Sequence, residues 1–194
     1  MKKKISILIL CALLAAMICT ACQNNVSDTI RSETSGESTG SQAGSGSIQE
    51  ETAESEEEIL ATDFEVTLVS GDTVKLSDFR GKKVLLNFWA TWCGPCVQEM
   101  PAFQQLTEEY PDDFVMLAVN CGDAAQDVES FVEENGYTFN IALDETMEVS
   151  SLYPTSSIPL TIIVDEEGYI TYASYGAADA QTMYDHYKEL LELE

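Results

Sequence analysis

The sequence predicts one α/β domain in which helices flank a mixed central sheet and a β-hairpin lies at the N-terminal side. Nearly continuous apolar runs at residues 84–90, 114–119 and 160–164 are typical of strands that are buried on both faces. Amphipathic segments with helical periodicity lie between these runs and follow the last of them. This alternation favours a layered sheet-and-helix architecture, and residues 62–194 have a length that suits a single core.

Short alternating segments supply the other strands, which we predict at residues 64–69, 73–76, 139–143 and 169–173. The first two are joined by the turn Ser70-Gly71-Asp72 and form the hairpin. Residues 77–81 are predicted as a turn or short helix. The last strand follows a turn at Gly168 and is predicted to pair antiparallel with residues 160–164.

Amphipathic periodicity predicts helices at residues 93–109, 123–135, 146–153 and 179–193. The first has an apolar stripe of Val97, Met100, Phe103 and Leu106. Gly136 suits the C-terminal end of the second, where a left-handed residue commonly closes a helix.

The first 21 residues have the pattern of a lipoprotein signal peptide. Lys2, Lys3 and Lys4 precede an apolar stretch, residues 5–18, that is too short to span a membrane comfortably. The pair Ala21-Cys22 resembles the lipobox of bacterial lipoproteins, so Cys22 is the predicted lipidation site. Cys19 stands where that pattern usually has an aliphatic residue. Anchoring at Cys19, or ordinary secretion with cleavage after Ala21, remains an alternative.

Residues 22–61 have the composition of a disordered acidic tether, rich in Ser and Gly and poor in the apolar side chains that offset the entropy of ordering. The chain has 9 Lys and Arg against 34 Asp and Glu, a net charge of −25. Such a surface repels phosphate groups, which argues against nucleic-acid binding and against adhesion of the domain itself to anionic lipid. Membrane attachment is therefore expected through the lipid anchor alone.

Cys93, Cys96 and Cys121 are the cysteines of the domain, and an odd number does not make a disulfide framework. Cys93 lies where a predicted buried strand ends and a helix begins. The positive end of that helix favours a thiolate, so Cys93 is the predicted nucleophile. Cys96 lies one turn further in and is predicted to resolve the mixed disulfide.

The neighbours of the pair suit this chemistry. Pro95 supplies a fixed φ in the first helical turn, and Trp92 is expected to shield the pair beside the entry surface. A zinc site would need two more ligands, and only Cys121 and His186 are available in the domain, neither in a paired spacing. We expect Cys121 to be a small semi-buried residue, with an extra redox thiol as the alternative, and His186 to be a surface residue.

The segment Asn87-Phe88-Trp89-Ala90-Thr91-Trp92-Cys93-Gly94-Pro95-Cys96 resembles the active-site segment of the thioredoxin superfamily. The predicted hairpin, the motif Leu76-Ser77-Asp78-Phe79-Arg80-Gly81-Lys82 and the triplet Ala118-Val119-Asn120 narrow the resemblance to the TlpA/ResA-like branch of extracytoplasmic thiol–disulfide oxidoreductases. The similarity extends in order over residues 62–193. It implies a thioredoxin-like fold with a mixed central sheet.

The resemblance also implies roles for particular residues. Pro159, after Ile158, matches the cis-proline loop that faces the two cysteines and pairs with substrate backbone; a trans-proline that opens a strand is the alternative. Pro101 matches a proline that kinks the active-site helix. We assign Trp92, Pro95, Ile158 and Pro159 to substrate binding.

Glu99 is the predicted proton carrier. Asn87 stands where thioredoxins proper have a buried aspartate, so that acid is missing here. Glu99 follows Cys96 by three residues on the same side of the helix. In the ResA-like branch a glutamate at this place exchanges protons with the cysteines, which a partly buried carboxyl of raised pKa could do. An exposed acid that stabilises the helix N-terminus is the alternative.

The predicted function is reduction of disulfides in exported proteins at the outer face of a bacterial membrane. The resemblance implies a client such as apocytochrome c or an oxidised repair enzyme, and electrons from a membrane thiol transporter of the CcdA or DsbD type. No cofactor or metal is expected, and the protein is predicted to be a monomer. A thiol peroxidase on the same fold and a non-catalytic metal-binding lipoprotein are the alternatives.

Overall fold

The computed structural model describes residues 58–194, so the predicted signal peptide, Cys22 and most of the predicted tether lie outside the described residues. The described chain forms seven strands and three α-helices. The strands are β1 (Glu65–Leu68), β2 (Thr73–Lys75), β3 (Lys83–Trp89), β4 (Phe114–Cys121), β5 (Asn140–Asp144), β6 (Leu160–Val164) and β7 (Ile170–Tyr175). The helices are α1 (Gly94–Glu109), α2 (Ala125–Asn135) and α3 (Ala180–Leu190).

The strands form one mixed sheet in the order β2-β1-β5-β4-β3-β6-β7. The central strands β3, β4 and β5 are parallel, whereas β6 runs antiparallel to β3 and carries β7 as its hairpin partner. β1 and β2 form the predicted N-terminal hairpin, and β1 continues the sheet beside β5. The predicted mixed sheet with an N-terminal hairpin is confirmed.

All three helices contribute to the core on one face of the sheet. The crossovers from β3 to β4 and from β4 to β5 step in the same direction, and right-handed crossovers then bring α1 and α2 to the same side. α3 returns from β7 and packs against α1 on that face. The opposite face is covered by residues 61–64, by the hairpin and by the loop before β6, with Phe64, Val149 and Tyr153 in its core.

The helix predicted at residues 146–153 is wrong: the structure has a 3-10 turn at Ser150–Leu152. Met147 has a positive φ of 60°, which a continuous right-handed helix does not allow. The Asp144 carboxylate then accepts hydrogen bonds from the backbone N–H groups of Val149 (3.2 Å) and Ser150 (2.7 Å) and so fixes the start of the turn. The buried acid at the end of β5 therefore replaces helical hydrogen bonding here.

Several boundaries also differ from the predicted ones, and two of these differences have a visible cause. α2 begins at Ala125 and not at residue 123, because the Asp123 carboxylate is hydrogen-bonded to the active-site loop. At the N-terminal side, contacts with the domain begin at Ile59, whose carbonyl accepts from Ile170 N–H at 2.8 Å, and Ala61 is buried. Within residues 58–194, no helix has the length and apolarity needed to cross a membrane.

Candidate active site

The two cysteines of the motif lie at the junction of β3 and α1. β3 ends at Trp89, and a tight turn, in which Cys93 N–H donates to the Ala90 carbonyl at 3.1 Å, brings Cys93 to the N-cap of α1. Cys93 and Cys96 are joined by a disulfide bond. The backbone N–H of Cys96 also donates to Cys93 Sγ at 3.3 Å, so the helix end directs a donor at the outer sulfur.

The two sulfurs differ in exposure. Cys93 retains 6% of its surface and Cys96 retains none. Next to them Trp92 is 73% exposed, and Gly94 and Pro95 are exposed as well. Trp92 therefore projects from the surface beside the pair, and the surface of the disulfide that remains accessible belongs to Cys93.

Asp123 fixes the loop that carries the motif, and sequence reasoning missed it. Its Oδ2 accepts hydrogen bonds from Thr91 N–H at 2.7 Å and from Asn120 Nδ2 at 2.9 Å. The available signal was its position just after the end of β4, because the carboxyl ends of the parallel strands β3 and β4 meet at one edge of the sheet. Asp123 thus joins the loop before the motif to the loop after β4.

The loop before β6 faces the disulfide. The peptide bond between Ile158 and Pro159 is cis, as the resemblance implied. The carbonyl oxygen of Ile158 lies 3.8 Å from Cys93 Sγ. Pro159 is buried, and its own carbonyl accepts from Gly176 N–H at 2.9 Å. Ile158 is half-buried and packs against the cores on both faces of the sheet, which holds this loop in place beside the outer sulfur.

Glu99 lies one turn after Cys96 on α1 and has no exposed surface. Its Oε1 accepts a hydrogen bond from Asn87 Nδ2 at 3.0 Å, and the Tyr187 hydroxyl lies 3.0 Å from its Oε2. Burial raises the pKa of this carboxyl from 4.5 to about 7, while the hydrogen bonds from Tyr187 and Asn87 oppose the increase. Burial is complete rather than partial, and the alternative of an exposed acid is excluded.

The remaining candidate residues are not part of this cluster. Cys121 is buried in the core of the opposite sheet face, and burial raises the pKa of its thiol. His186 is not the surface residue that the sequence suggested: it is half-buried, and its Nε2 lies 3.0 Å from the Tyr172 hydroxyl. Among residues 58–194, no three His, Cys, Asp or Glu side chains converge in an arrangement that could hold a metal ion.

A disulfide at a helix N-terminus, beside a cis-proline loop and on a mixed sheet, defines a thiol–disulfide oxidoreductase with a thioredoxin-like fold. The chain belongs to the AhpC/TSA family, whose profile matches residues 59–173. That match includes the motif, Glu99 and the loop at Pro159.

Named relatives agree with this class. The chain is 37% identical to the thiol–disulfide oxidoreductase ResA of Geobacillus kaustophilus over 131 residues. The aligned region covers 67% of this chain and 75% of that protein. It is 44% identical to the thioredoxin-like protein YneN of Bacillus subtilis over 113 residues. That aligned region covers 57% of this chain and 66% of YneN. The predicted resemblance to ResA-like oxidoreductases is confirmed.

A solved structure supports the fold. The pneumococcal exposed lipoprotein thioredoxin Etrx1 of Streptococcus pneumoniae superposes with a TM-score of 0.58 at 29% identity. The match covers 66% of this chain and 99% of that one. The thioredoxin-like fold predicted for the domain is confirmed.

Proposed function

We propose that this protein is a membrane-anchored extracytoplasmic reductase that uses the Cys93–Cys96 dithiol to reduce disulfides in exported proteins. One observation carries the proposal: the outer sulfur of the pair lies beside the Ile158 carbonyl, and the inner cysteine is followed one turn later by a buried carboxyl. This arrangement offers an accessible nucleophile, a protected resolving thiol and a group that can hold a proton.

The reaction proceeds by two thiol–disulfide exchanges. The Cys93 thiolate attacks one sulfur of the client disulfide, so that a Cys93–client bond forms, the client S–S bond breaks and the second client sulfur leaves as a thiolate. Cys96 then attacks Cys93 Sγ, closes the Cys93–Cys96 disulfide and releases the first client sulfur. The client gains two electrons and two protons, and the dithiol loses them.

Glu99 is the proposed proton acceptor for the second exchange. Cys96 must lose its proton to attack, and it is buried away from solvent. A carboxyl whose pKa is raised to about 7 can accept that proton near neutral pH and release it afterwards. Asn87, which replaces the aspartate of thioredoxins proper, serves as a hydrogen-bond donor to this acid.

The loop at Ile158 and Pro159 is the proposed wall of the substrate site. An extended client segment laid along it would bring its disulfide to Cys93 Sγ, which lies 3.8 Å from the Ile158 carbonyl oxygen. Trp92 and Pro95, the neighbours of the cysteines in the motif, are exposed and would contact the client as well. These side chains would hold the reacting sulfurs close together.

The direction of electron flow is part of the proposal. The two residues between the cysteines, Gly94 and Pro95, carry no charge that would strongly stabilise the Cys93 thiolate, which favours a reducing potential near that of thioredoxin. A reductase in an oxidising compartment needs electrons, which we propose come from a membrane thiol transporter of the CcdA or DsbD type. Apocytochrome c and an oxidised repair enzyme such as methionine sulfoxide reductase are the proposed clients.

The proposed location is the outer face of the cell membrane. Lipidation at Cys22 would anchor the chain, and residues 22–58, which precede the first contacts with the domain at Ile59, would form a tether with a reach of roughly 35 Å for a flexible chain. The similarity to Etrx1, whose structure is described as that of an exposed lipoprotein thioredoxin, supports this location. A labelled lipid precursor should appear on the wild-type protein and be absent from Cys22→Ala.

Trapping tests the reductase proposal. The Cys96→Ser variant cannot complete the second exchange, so it should accumulate client proteins as mixed disulfides through Cys93. Mass spectrometry of envelope extracts would identify them, and the Cys93→Ser/Cys96→Ser double variant is the matched control. Absence of any protein bound through Cys93, or a Cys93–Cys96 potential near the strongly oxidising end of the scale, would contradict the proposal.

Consumption of hydrogen peroxide without an added disulfide substrate would support the peroxidase alternative instead.

A further inference from the structure

A closed ring of four hydrogen-bonded side chains surrounds the acid behind the disulfide. Asn87 Nδ2 donates to Glu99 Oε1 at 3.0 Å and to Thr161 Oγ1 at 2.9 Å. The Tyr187 hydroxyl lies 3.0 Å from Glu99 Oε2 and 3.2 Å from Thr161 Oγ1. The ring therefore connects four elements, β3, α1, β6 and α3.

The ring is sealed from solvent. Asn87 and Glu99 have no exposed surface, and Thr161 and Tyr187 each retain 1%. The hydrogen bonds of this ring are therefore made among its four side chains and not with solvent. Within residues 58–194, the Asn87 Oδ1 atom has no partner, and both N–H groups of the amide are used by the ring. Turning the amide over would bring Oδ1 against Glu99 Oε1, which is favourable only when that oxygen carries a proton.

The Tyr187 hydroxyl has one proton and two possible acceptors. When Glu99 is ionised, Tyr187 donates to Glu99 Oε2 and its own oxygen accepts from the Thr161 hydroxyl. When Glu99 carries a proton on Oε2, that proton is donated to Tyr187, which donates in turn to Thr161. Apart from the proton gained by Glu99, the two states differ only in the rotation of hydroxyl hydrogens.

We propose that Tyr187 is a positioning residue of the active site: from α3 it holds the Glu99 carboxyl in this ring and satisfies the acid in both of its protonation states without movement of heavy atoms. The role rests on the proposed function of Glu99 as proton acceptor, since a fixed carboxyl that exchanges a proton at constant geometry avoids a reorganisation cost at each turnover. Asn87 and Thr161 complete the same arrangement.

The titratable groups that face the ring support this role. α1 contributes Cys96, which is in the disulfide in this structure. α3 contributes Tyr187 and His186, whose ring centroids lie 5.7 Å apart. β7 contributes Tyr172, whose hydroxyl is hydrogen-bonded to His186. Asn87 of β3 and Thr161 of β6 are neutral. Burial and the neighbouring Glu99 both raise the pKa of Tyr187, so it stays a phenol that can donate while Glu99 titrates.

The test measures the pKa of Glu99 in the oxidised full-length protein. Carbon NMR records the side-chain carboxyl signal as a function of pH, and the signal is assigned by its absence from Glu99→Gln. Tyr187→Phe keeps the ring and removes the hydroxyl, so the ionised carboxylate loses one of its two donors. We expect the pKa of Glu99 to increase by about one unit, as for loss of a hydrogen bond to a charged group. The matched control is Tyr184→Phe. Tyr184 also lies on α3, and its hydroxyl donates to Glu109 of α1, outside the ring. This variant should leave the pKa of Glu99 unchanged.

The outcomes separate the inference from the proposed function. An unchanged Glu99 titration in Tyr187→Phe overturns the inference, whatever the reductase activity. If Tyr187→Phe does not fold, the Cζ carbon signal of Tyr187 in the wild-type protein should shift with the same midpoint as the Glu99 carboxyl, because the hydroxyl changes from donor to acceptor of the Glu99 hydrogen bond. A Tyr187 signal that does not change through the Glu99 titration also overturns the inference. If the titration shifts but the pH profile of mixed-disulfide resolution does not follow, the ring stands and the proposed role of Glu99 as proton acceptor fails.

Discussion

Glu99 is a carboxylic acid with no exposed surface, held inside the α1 face that packs against α3. A buried ionised carboxylate is costly unless donors surround it, and here two donors are present. They do not fully compensate the burial, because the pKa of the acid remains raised to about 7. The residue therefore costs stability at neutral pH and is available as a proton carrier in the same pH range.

Because the buried, ionised Glu99 lowers the stability of the folded protein, we predict a pH-dependent difference in stability between the wild type and Glu99→Gln. Between about pH 4.5 and pH 7 the folded protein holds a proton on Glu99 that the unfolded chain releases, so wild-type stability falls as the pH rises through this window. The variant lacks this titration. Its free energy of unfolding relative to wild type should increase by about 3 kcal/mol from pH 4.5 to pH 8.

Urea unfolding of the two oxidised proteins across that pH range measures the difference. All other titrating groups are common to both proteins, so the difference curve reports Glu99 alone. A curve that is flat, or that falls with pH, would show that Glu99 is not a buried acid of raised pKa.

At the scale of elements, the loop between β5 and β6 is fixed by one buried acid. Asp144 is 5% exposed and accepts hydrogen bonds from Val149 N–H, Ser150 N–H and the Ser150 hydroxyl, the last at 2.5 Å. This loop ends in Ile158 and Pro159, so the carboxylate at one end of the loop limits the freedom of the wall that faces the disulfide.

Asp144→Ala should therefore destabilise the domain. The change leaves three donors near the 3-10 turn without their acceptor, at a cost of about 2 to 3 kcal/mol. Glu148→Ala, at an exposed position of the same loop, is the control and should stay within about 0.5 kcal/mol of wild type. Thermal or denaturant unfolding provides both values, and equal stability of the two variants would contradict this account of the loop.

At the scale of the whole molecule, the basic residues of the described part of the chain, residues 58–194, lie away from the dithiol. No Lys or Arg occurs between Lys83 and Lys188 in the sequence. Lys83 lies at the start of β3, opposite the end that leads to Cys93, and Lys188 lies over the ring of Tyr110 just beyond the far end of α1. Lys75 is on the edge strand β2, separated from β3 by β1, β5 and β4.

This distribution predicts charge selectivity toward small disulfides. The reduced protein should react with cystamine, which is cationic, about tenfold faster than with anionic dithiodiglycolate at low ionic strength, because the negative field attracts one reagent and repels the other. Stopped-flow rates in rising salt should converge, since the field of exposed charges is screened beyond about 10 Å at 0.1 M. Neutral hydroxyethyl disulfide is the control for salt effects on the chemistry itself. A ratio that does not depend on salt would contradict an electrostatic origin.

The sequence by itself determined the order of the seven strands and three α-helices of the domain, the strands buried on both faces and the redox pair, although it also predicted a helix at residues 146–153 that the structure lacks. These features depend on short stretches of sequence. Apolar runs and helical stripes indicate which face of each segment is buried, and the motif lies within a few residues of both the strand end and the helix start. The resemblance to a known branch added Pro159 and Glu99 in the same way, through short motifs that can be matched residue by residue.

Only the tertiary structure decided what surrounds those residues. Tyr187 lies in the amphipathic segment predicted as a helix at residues 179–193, and nothing in that segment indicates that its hydroxyl would contact Glu99 and Thr161. Asp123 and Asp144 likewise have partners distant in the chain or in a loop whose path was predicted wrongly. Hydrogen-bond partners and the pKa of a buried acid depend on which elements pack together, and this is why the cysteines could be identified from the sequence whereas the ring that holds Glu99 required the fold.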